Sequence, residues 1–267
     1  MNYLKNIFIL ACCYTVITNA EILDTPKSKL DFATSKVIQE NNGILVVNGK
    51  SNICAKKIFP IDPNKQYKIS LEYKFSSLDS KESLRFGFMQ YGKNKAMIHP
   101  AEVLVNKGSE TILLQDIKAK DKVIYVKDAS KWKGNSASKI ALRVDPSGKL
   151  RDLPNRNILP AGIKKIEQKD GQYLIHLYSS AQINVQKNTA IREHLSGWYG
   201  LGLLKLTPST TWKKISFTTT KGTTEKNSNL QWNKHAKYGS FFIMANCQNI
   251  QLKSITIESI DLPTAKK

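Results

Sequence analysis

The sequence predicts an all-β fold, a β-sandwich interrupted by a small inserted β-barrel or roll module. Two observations carry that expectation. Apolar residues recur mostly at spacing two, in short runs broken by Gly, Asn, Asp, Pro and Ser, and no long stretch keeps a helical period. The strand-like runs also fall into an early and a late set, separated by a middle segment with its own strands and turns.

In chain order, residues 1–20 read as a secretory signal. Lys5 supplies the positive start, an apolar run follows, and Thr18-Asn19-Ala20 leaves a small residue at the cleavage edge. A lipoprotein signal ending at Cys12 is the competing reading. No later apolar stretch is long enough to cross a bilayer, so the product is expected to be exported with no transmembrane segment, whether extracellular, periplasmic or at the cell surface. The first strand set covers residues 44–48, 53–59, 67–75 and 84–89, with turn chemistry at Asn48-Gly49 and Asp62-Pro63-Asn64. The last set covers residues 201–206, 214–219, 240–245 and 252–260. Residues 22–102 and 196–262 then form the two parts of one sandwich, residues 103–195 form the inserted module, and 263–267 are a tail. Residues 22–100 alone make too few strands for a closed sandwich, and chain entry and exit near Glu102 and Gly197 should lie close together.

The formal charge of +20 attracts polyanions. The basic residues are mostly lysine, with arginine only at 85, 143, 151, 156 and 192, whereas bidentate recognition of carboxylate or sulfate favours arginine. A solvated lysine-rich surface explains most of the charge, and export argues against nucleic acid as the partner. Cleavage removes Cys12 and Cys13 and leaves Cys54 and Cys247, an isolated pair that suits a disulfide in an oxidising compartment; two buried free thiols are the alternative. Their spacing, with no paired histidines, fits no metal site.

The runs 212–220, 239–245 and 255–262, together with Tyr67-Lys-Ile-Ser-Leu-Glu-Tyr-Lys-Phe after the Pro60-Ile-Asp-Pro-Asn-Lys turn, resemble the galactose-binding-like carbohydrate-binding jelly rolls. The middle segment resembles an insert in some bacterial exported jelly-roll proteins, where a lysine–tryptophan strand end and an Asp-Leu-Pro-Asn turn recur. The resemblance implies a jelly roll and noncatalytic binding of a polysaccharide or cell-surface glycan. It places first and last strands side by side, which would let Cys54 meet Cys247. It also implies a packing tryptophan at Trp212 and a structural calcium. Asp261 matches the late calcium ligand, but none of Asp24, Asp31 and Glu40 stands out as the early one. No other cofactor is expected.

Sugar binding needs aromatic faces with polar neighbours. Trp198 and Tyr199 follow Arg192-Glu193-His194 at the expected module junction, where clefts form. Trp232 sits among Asn229, Gln231, Asn233 and His235, and Tyr91 ends a strand beside Gly92. The candidate ligand-binding set is therefore Trp198, Tyr199, Arg192, His194, Trp232 and Tyr91. Packing between modules competes for Trp198 and Tyr199, and capping of the sandwich for Trp232. No catalytic residues are assigned: hydrolase, metalloprotease and phosphate-loop motifs are missing. A polysaccharide lyase or glycoside hydrolase acting on anionic glycans is the enzymatic alternative, and a surface assembly protein the structural one.

Overall fold

A computed structural model describes residues 20–33, 36–78, 82–197 and 200–261. The architecture is all-β, with one α-helical turn at Pro100–Val103 and one 3-10 turn at Lys29–Asp31 among the described residues. The early strands are β1 (Ala20–Asp24), β2 (Ile38–Asn41), β3 (Ile44–Cys54), β4 (Phe59–Pro60), β5 (Gln66–Lys74) and β6 (Ser83–Tyr91). The middle strands are β7 (Thr111–Ile112), β8 (Val123–Val126), β9 (Ser138–Leu142), β10 (Ile163–Lys169), β11 (Gln172–Leu177) and β12 (Ala190–Leu195). The late strands are β13 (Gly200–Lys205), β14 (Lys213–Thr218), β15 (Thr223–Thr224), β16 (Trp232–Asn233) and β17 (Tyr238–Ile260).

The 23-residue β17 organises the sandwich. Its first half lies between β6 and β3, giving the order β13-β6-β17-β3-β2. Its second half lies between β5 and β1, with β14 beyond β5. One strand therefore belongs to both layers. It can do so because it carries an extra residue at two points. Three steps from Cys247 to Ile250 face two steps of β3, and three from Lys253 to Thr256 face two of β5. Asn249 and Ser254 sit there with φ of 53° and 51°, so each bulge twists the strand and turns the corner. The sequence reading divides this strand in two, at 240–245 and 252–260. Asn48-Gly49 likewise lies inside β3 rather than between strands, with Gly49 at φ 124° opposite the first bulge. The Asp62-Pro63-Asn64 turn forms as expected: Asp62 Oδ1 accepts from Asn64 N–H at 2.8 Å, and its carbonyl from Lys65 N–H at 3.1 Å.

Two large apolar cores divide the chain. One draws on residues from Phe32 to Leu104 and again from Leu201 to Ile257. The other draws on Leu113 to Ile191, enclosed by the sheets β10-β11-β8 and β7-β12-β9, and includes Trp132. Each fully buried Phe, Leu or Ile contributes about 1.5–3 kcal/mol. The chain enters and leaves the second core at neighbouring points, since Leu195 N–H donates to Leu104 carbonyl at 2.8 Å and Val105 bridges His194.

The cysteines do not meet. Cys54 stands opposite Phe242 and Cys247 opposite Gly49, five residues apart along β17, which is roughly 17 Å at strand spacing. Their side chains also join different apolar clusters, Cys247 in the sandwich core and Cys54 beside Tyr91 on the opposite face. Both are free thiols, held in the protonated form by burial, which pushes Cys247 up to about 11. A reductant should thus leave the melting temperature of purified protein unchanged, whereas a bridge would lower it by several degrees.

Candidate functional site

β12 is the central strand of its sheet, between β9 and β7, and it is buried on both faces. Its polar triplet is consequently interior. Arg192 is 0% exposed and forks onto Asp152, with NH2 at 2.8 Å from Oδ2 and NH1 at 3.3 Å from Oδ1. Its Nε and NH2 also donate to His194 Nε2 at 3.1 and 2.8 Å. That arrangement requires His194 to carry its proton on Nδ1, which donates to Ala101 carbonyl at 2.6 Å. Glu193, equally buried, accepts from Lys133 N–H at 2.8 Å, Gly134 N–H at 3.0 Å, Asn106 amide and Ser138 hydroxyl. Asp152 stays ionised: burial alone would raise it, but hydrogen bonds from Asn155 and Arg192 outweigh that and hold it low.

This geometry corrects the reading of Arg192 and His194 as ligand donors. They bond inward and tie the module to the helical turn before it. Burial, aided by the Arg192 charge, pushes His194 down to about 4 from 6.5, so the folded protein holds it neutral. The unfolded chain binds that proton first as pH falls, so stability is full above about 6.5 and declines toward pH 4. The loss from this group should reach about 3 kcal/mol. Urea midpoints at pH 7, 5 and 4 would measure it, and His194→Gln should flatten the dependence.

Trp232 and Tyr91 are corrected on the same ground. Trp232 is 0% exposed, with its ring 5.1 Å from Phe88, 5.5 Å from Tyr67 and 6.5 Å from Phe59. A Cβ on Gly239 would lie 2.7 Å from its ring, so glycine there admits the indole to the sandwich core. The polar neighbours misdirected the reading: Asn229 is exposed, Gln231 and His235 are half-buried and Asn233 is buried, while the Trp232 ring points into the core. Tyr91 is buried beside Phe242 and Leu203, its hydroxyl pushed up to about 12 by burial. Trp212 lies outside the core, half-buried, with Lys253 Nζ 4.2 Å from its ring centroid. Trp198 and Tyr199 lie outside the described residues.

Asp261 pairs with Lys65 at 3.2 Å. Asp31 accepts from Lys27 and Ser28 N–H, and Glu40 from Lys29 N–H. Among the described residues no group of three His, Cys, Asp or Glu side chains is placed to hold a metal ion.

The junction itself does form a groove, of about 790 Å³. Leu104, Val105, Ala137 and Leu195 line it together with Asn135, Ser196, Thr223, Thr224 and Asn227. Lys107, Lys133 and Lys226 supply positive charge, and Glu225 is the single carboxylate among the described lining residues. Lys107, from the chain entering the module, reaches Glu225 across the junction at 2.9 Å; Lys234 holds it from the other side. These two ammonium groups pull Glu225 down to about 2. Sequence reasoning missed this set. Its members come from four separated segments, and lysine is too common in this chain to mark a place. Two signals were legible: the expected junction of chain entry and exit, and the polar run before Trp232, which begins near Asn227 of the lining.

No protein-family model matches the chain, and no curated protein matches its sequence. Its fold is distantly similar to the crystal structure of a candidate glycosyl hydrolase from Parabacteroides distasonis ATCC 8503. That likeness has a TM-score of 0.33 and 13% identity, over 89% of this chain and 91% of that one. It is too remote to bear on function. Among the described residues no helix is long and apolar enough to cross a membrane.

Proposed function

We propose that this chain is an exported, noncatalytic binder of an anionic glycan, taken in the junction groove. The observation that carries the reading is the lining itself: three lysines and several amides and hydroxyls around one carboxylate already committed to two ion pairs. Lysines attract a uronate or sulfate ester, while Asn and Thr side chains match sugar hydroxyls. Glu225 has the wrong chemistry for a general acid near neutrality, because an acid must hold its proton there. The galactose-binding-like resemblance supports the same class of ligand. Trp198 and Tyr199 follow Ser196 of the lining within three residues of sequence, and we assign them the stacking face.

Trp198→Ala should then weaken binding of an acidic oligosaccharide by roughly 1–3 kcal/mol without unfolding the protein. Lys226→Gln should weaken it as well, and raised salt should do so through screening of the lysines. Unchanged affinity in folded proteins carrying each substitution would refute the groove as the binding site.

A further inference from the structure

The inserted module has a cleft of its own, of about 740 Å³, which shares no lining residue with the junction groove. It lies between the turn at 116–118, the residue after β9, and the loop at 184–189. Paired backbone hydrogen bonds between Ile117 and Val185, at 2.8 and 2.9 Å, join two of its walls. Arg143 forms the third. Its φ of 54° is in the left-handed region, which disfavours a long side chain, and its neighbours fix it there. Leu142 N–H donates to Asn157 carbonyl at 2.8 Å and Val144 N–H to Ala190 carbonyl at 3.2 Å. An arginine kept on a strained backbone over a cleft is a functional signal when its charge is otherwise unused. No ion pair or hydrogen bond joins the exposed Arg143 guanidinium to a described residue, unlike Arg192, which is fully engaged.

We propose that this cleft is a second saccharide site, specific for an acidic sugar. Arg143 offers the two parallel N–H donors that match a carboxylate or sulfate, and Lys118 adds charge beside it. Asp116 and Asn184 supply the complementary chemistry for hydroxyls. Asp116 uses Oδ1 to accept from Lys187 N–H at 2.7 Å, and Asn184 uses Oδ1 to accept from Ala119 N–H at 2.9 Å. These bonds orient both side chains, so that the second Asp116 oxygen is the acceptor and the Asn184 NH2 group the donor for a sugar. A carboxylate in the lining disfavours a bare anion and favours a ligand carrying hydroxyls as well as charge. This inference shares its ligand class with the proposed function but stands on different residues. A chain with two such sites would hold one polysaccharide by avidity.

Titration calorimetry of the full chain tests it, with oligogalacturonate and heparin-derived tetrasaccharides, a neutral galactotetraose and inorganic sulfate as probes. Two acidic tetrasaccharides should bind per chain. Arg143→Asn suits the left-handed backbone and should weaken one of the two sites about tenfold, the scale of a lost charge-assisted pair. Lys118→Gln should weaken the same site, and the junction variant Lys226→Gln only the other. Binding that responds to Lys226→Gln while ignoring Arg143→Asn and Lys118→Gln would overturn the module site and keep the junction reading. The reverse pattern would keep the module site and remove the junction one. Inorganic sulfate or galactotetraose binding the module as tightly as the acidic tetrasaccharides would overturn its specificity, and no binding of either acidic probe would overturn both sites.

Discussion

Replacing Trp232 by alanine is expected to destabilise the fold by about 3–5 kcal/mol, the loss found when a large aromatic is deleted from a packed core. Trp232 is completely buried where Phe59, Tyr67 and Phe88 converge, and Gly239 leaves no second side chain to fill the space. The cavity would open between the two layers that β17 joins. Urea unfolding should show a lower midpoint with little change in slope. Trp232→Phe should cost less, because it keeps a ring and removes an indole N–H that has no hydrogen-bond partner among the described residues. If Trp232 were a ligand platform, alanine would spare stability and abolish binding. The expected result is the opposite in both respects for any protein that remains folded.

Arg192→Ala should be of similar size, about 3–5 kcal/mol, by a different route. The loss is chiefly a partner removed from the largely buried Asp152 carboxylate, with Glu110 also nearby, at 3.6 Å from the guanidinium. His194 would lose the donors that fix its tautomer, while keeping its bond to Ala101. A double change, Arg192→Met with Asp152→Leu, should recover part of the loss, since it removes the Asp152 charge together with its partner, while Glu110 and the Asn155 and Asp145 donors to Asp152 stay unmatched. Equal destabilisation in the single and double variants, by urea unfolding at pH 7, would show that the pair is not the source of the effect.

The sheet regions were legible because alternation at spacing two survives wherever one face is buried. β5 and β14 read directly in this way. β17 did not, because Asn and Ser at its bulges carry the same turn chemistry that ends a strand, and only the register of β3 and β5 distinguishes a corner from an end. The polar triplet of β12 misled for a related reason. Alternation assigns polar residues to the outside, whereas β12 has no outside: its charges are matched by Asp152, Ser138 and backbone groups distant in sequence. The groove at the junction was anticipated as a place, through the idea that chain entry and exit meet. Its lysines were not, since what selects Lys107, Lys133 and Lys226 is a shared location. The paired thiols failed on register, a quantity that spacing along the chain does not contain.

A noncatalytic binder holds an acidic glycan and leaves it intact. Incubating the protein with oligogalacturonate and heparin fragments, then measuring retention on the protein and the size distribution of the recovered sugar together, tests this most directly. Acidic chains should be retained in a salt-sensitive way with every chain length preserved. Shortened or unsaturated products would contradict noncatalytic binding and make the groove a catalytic one.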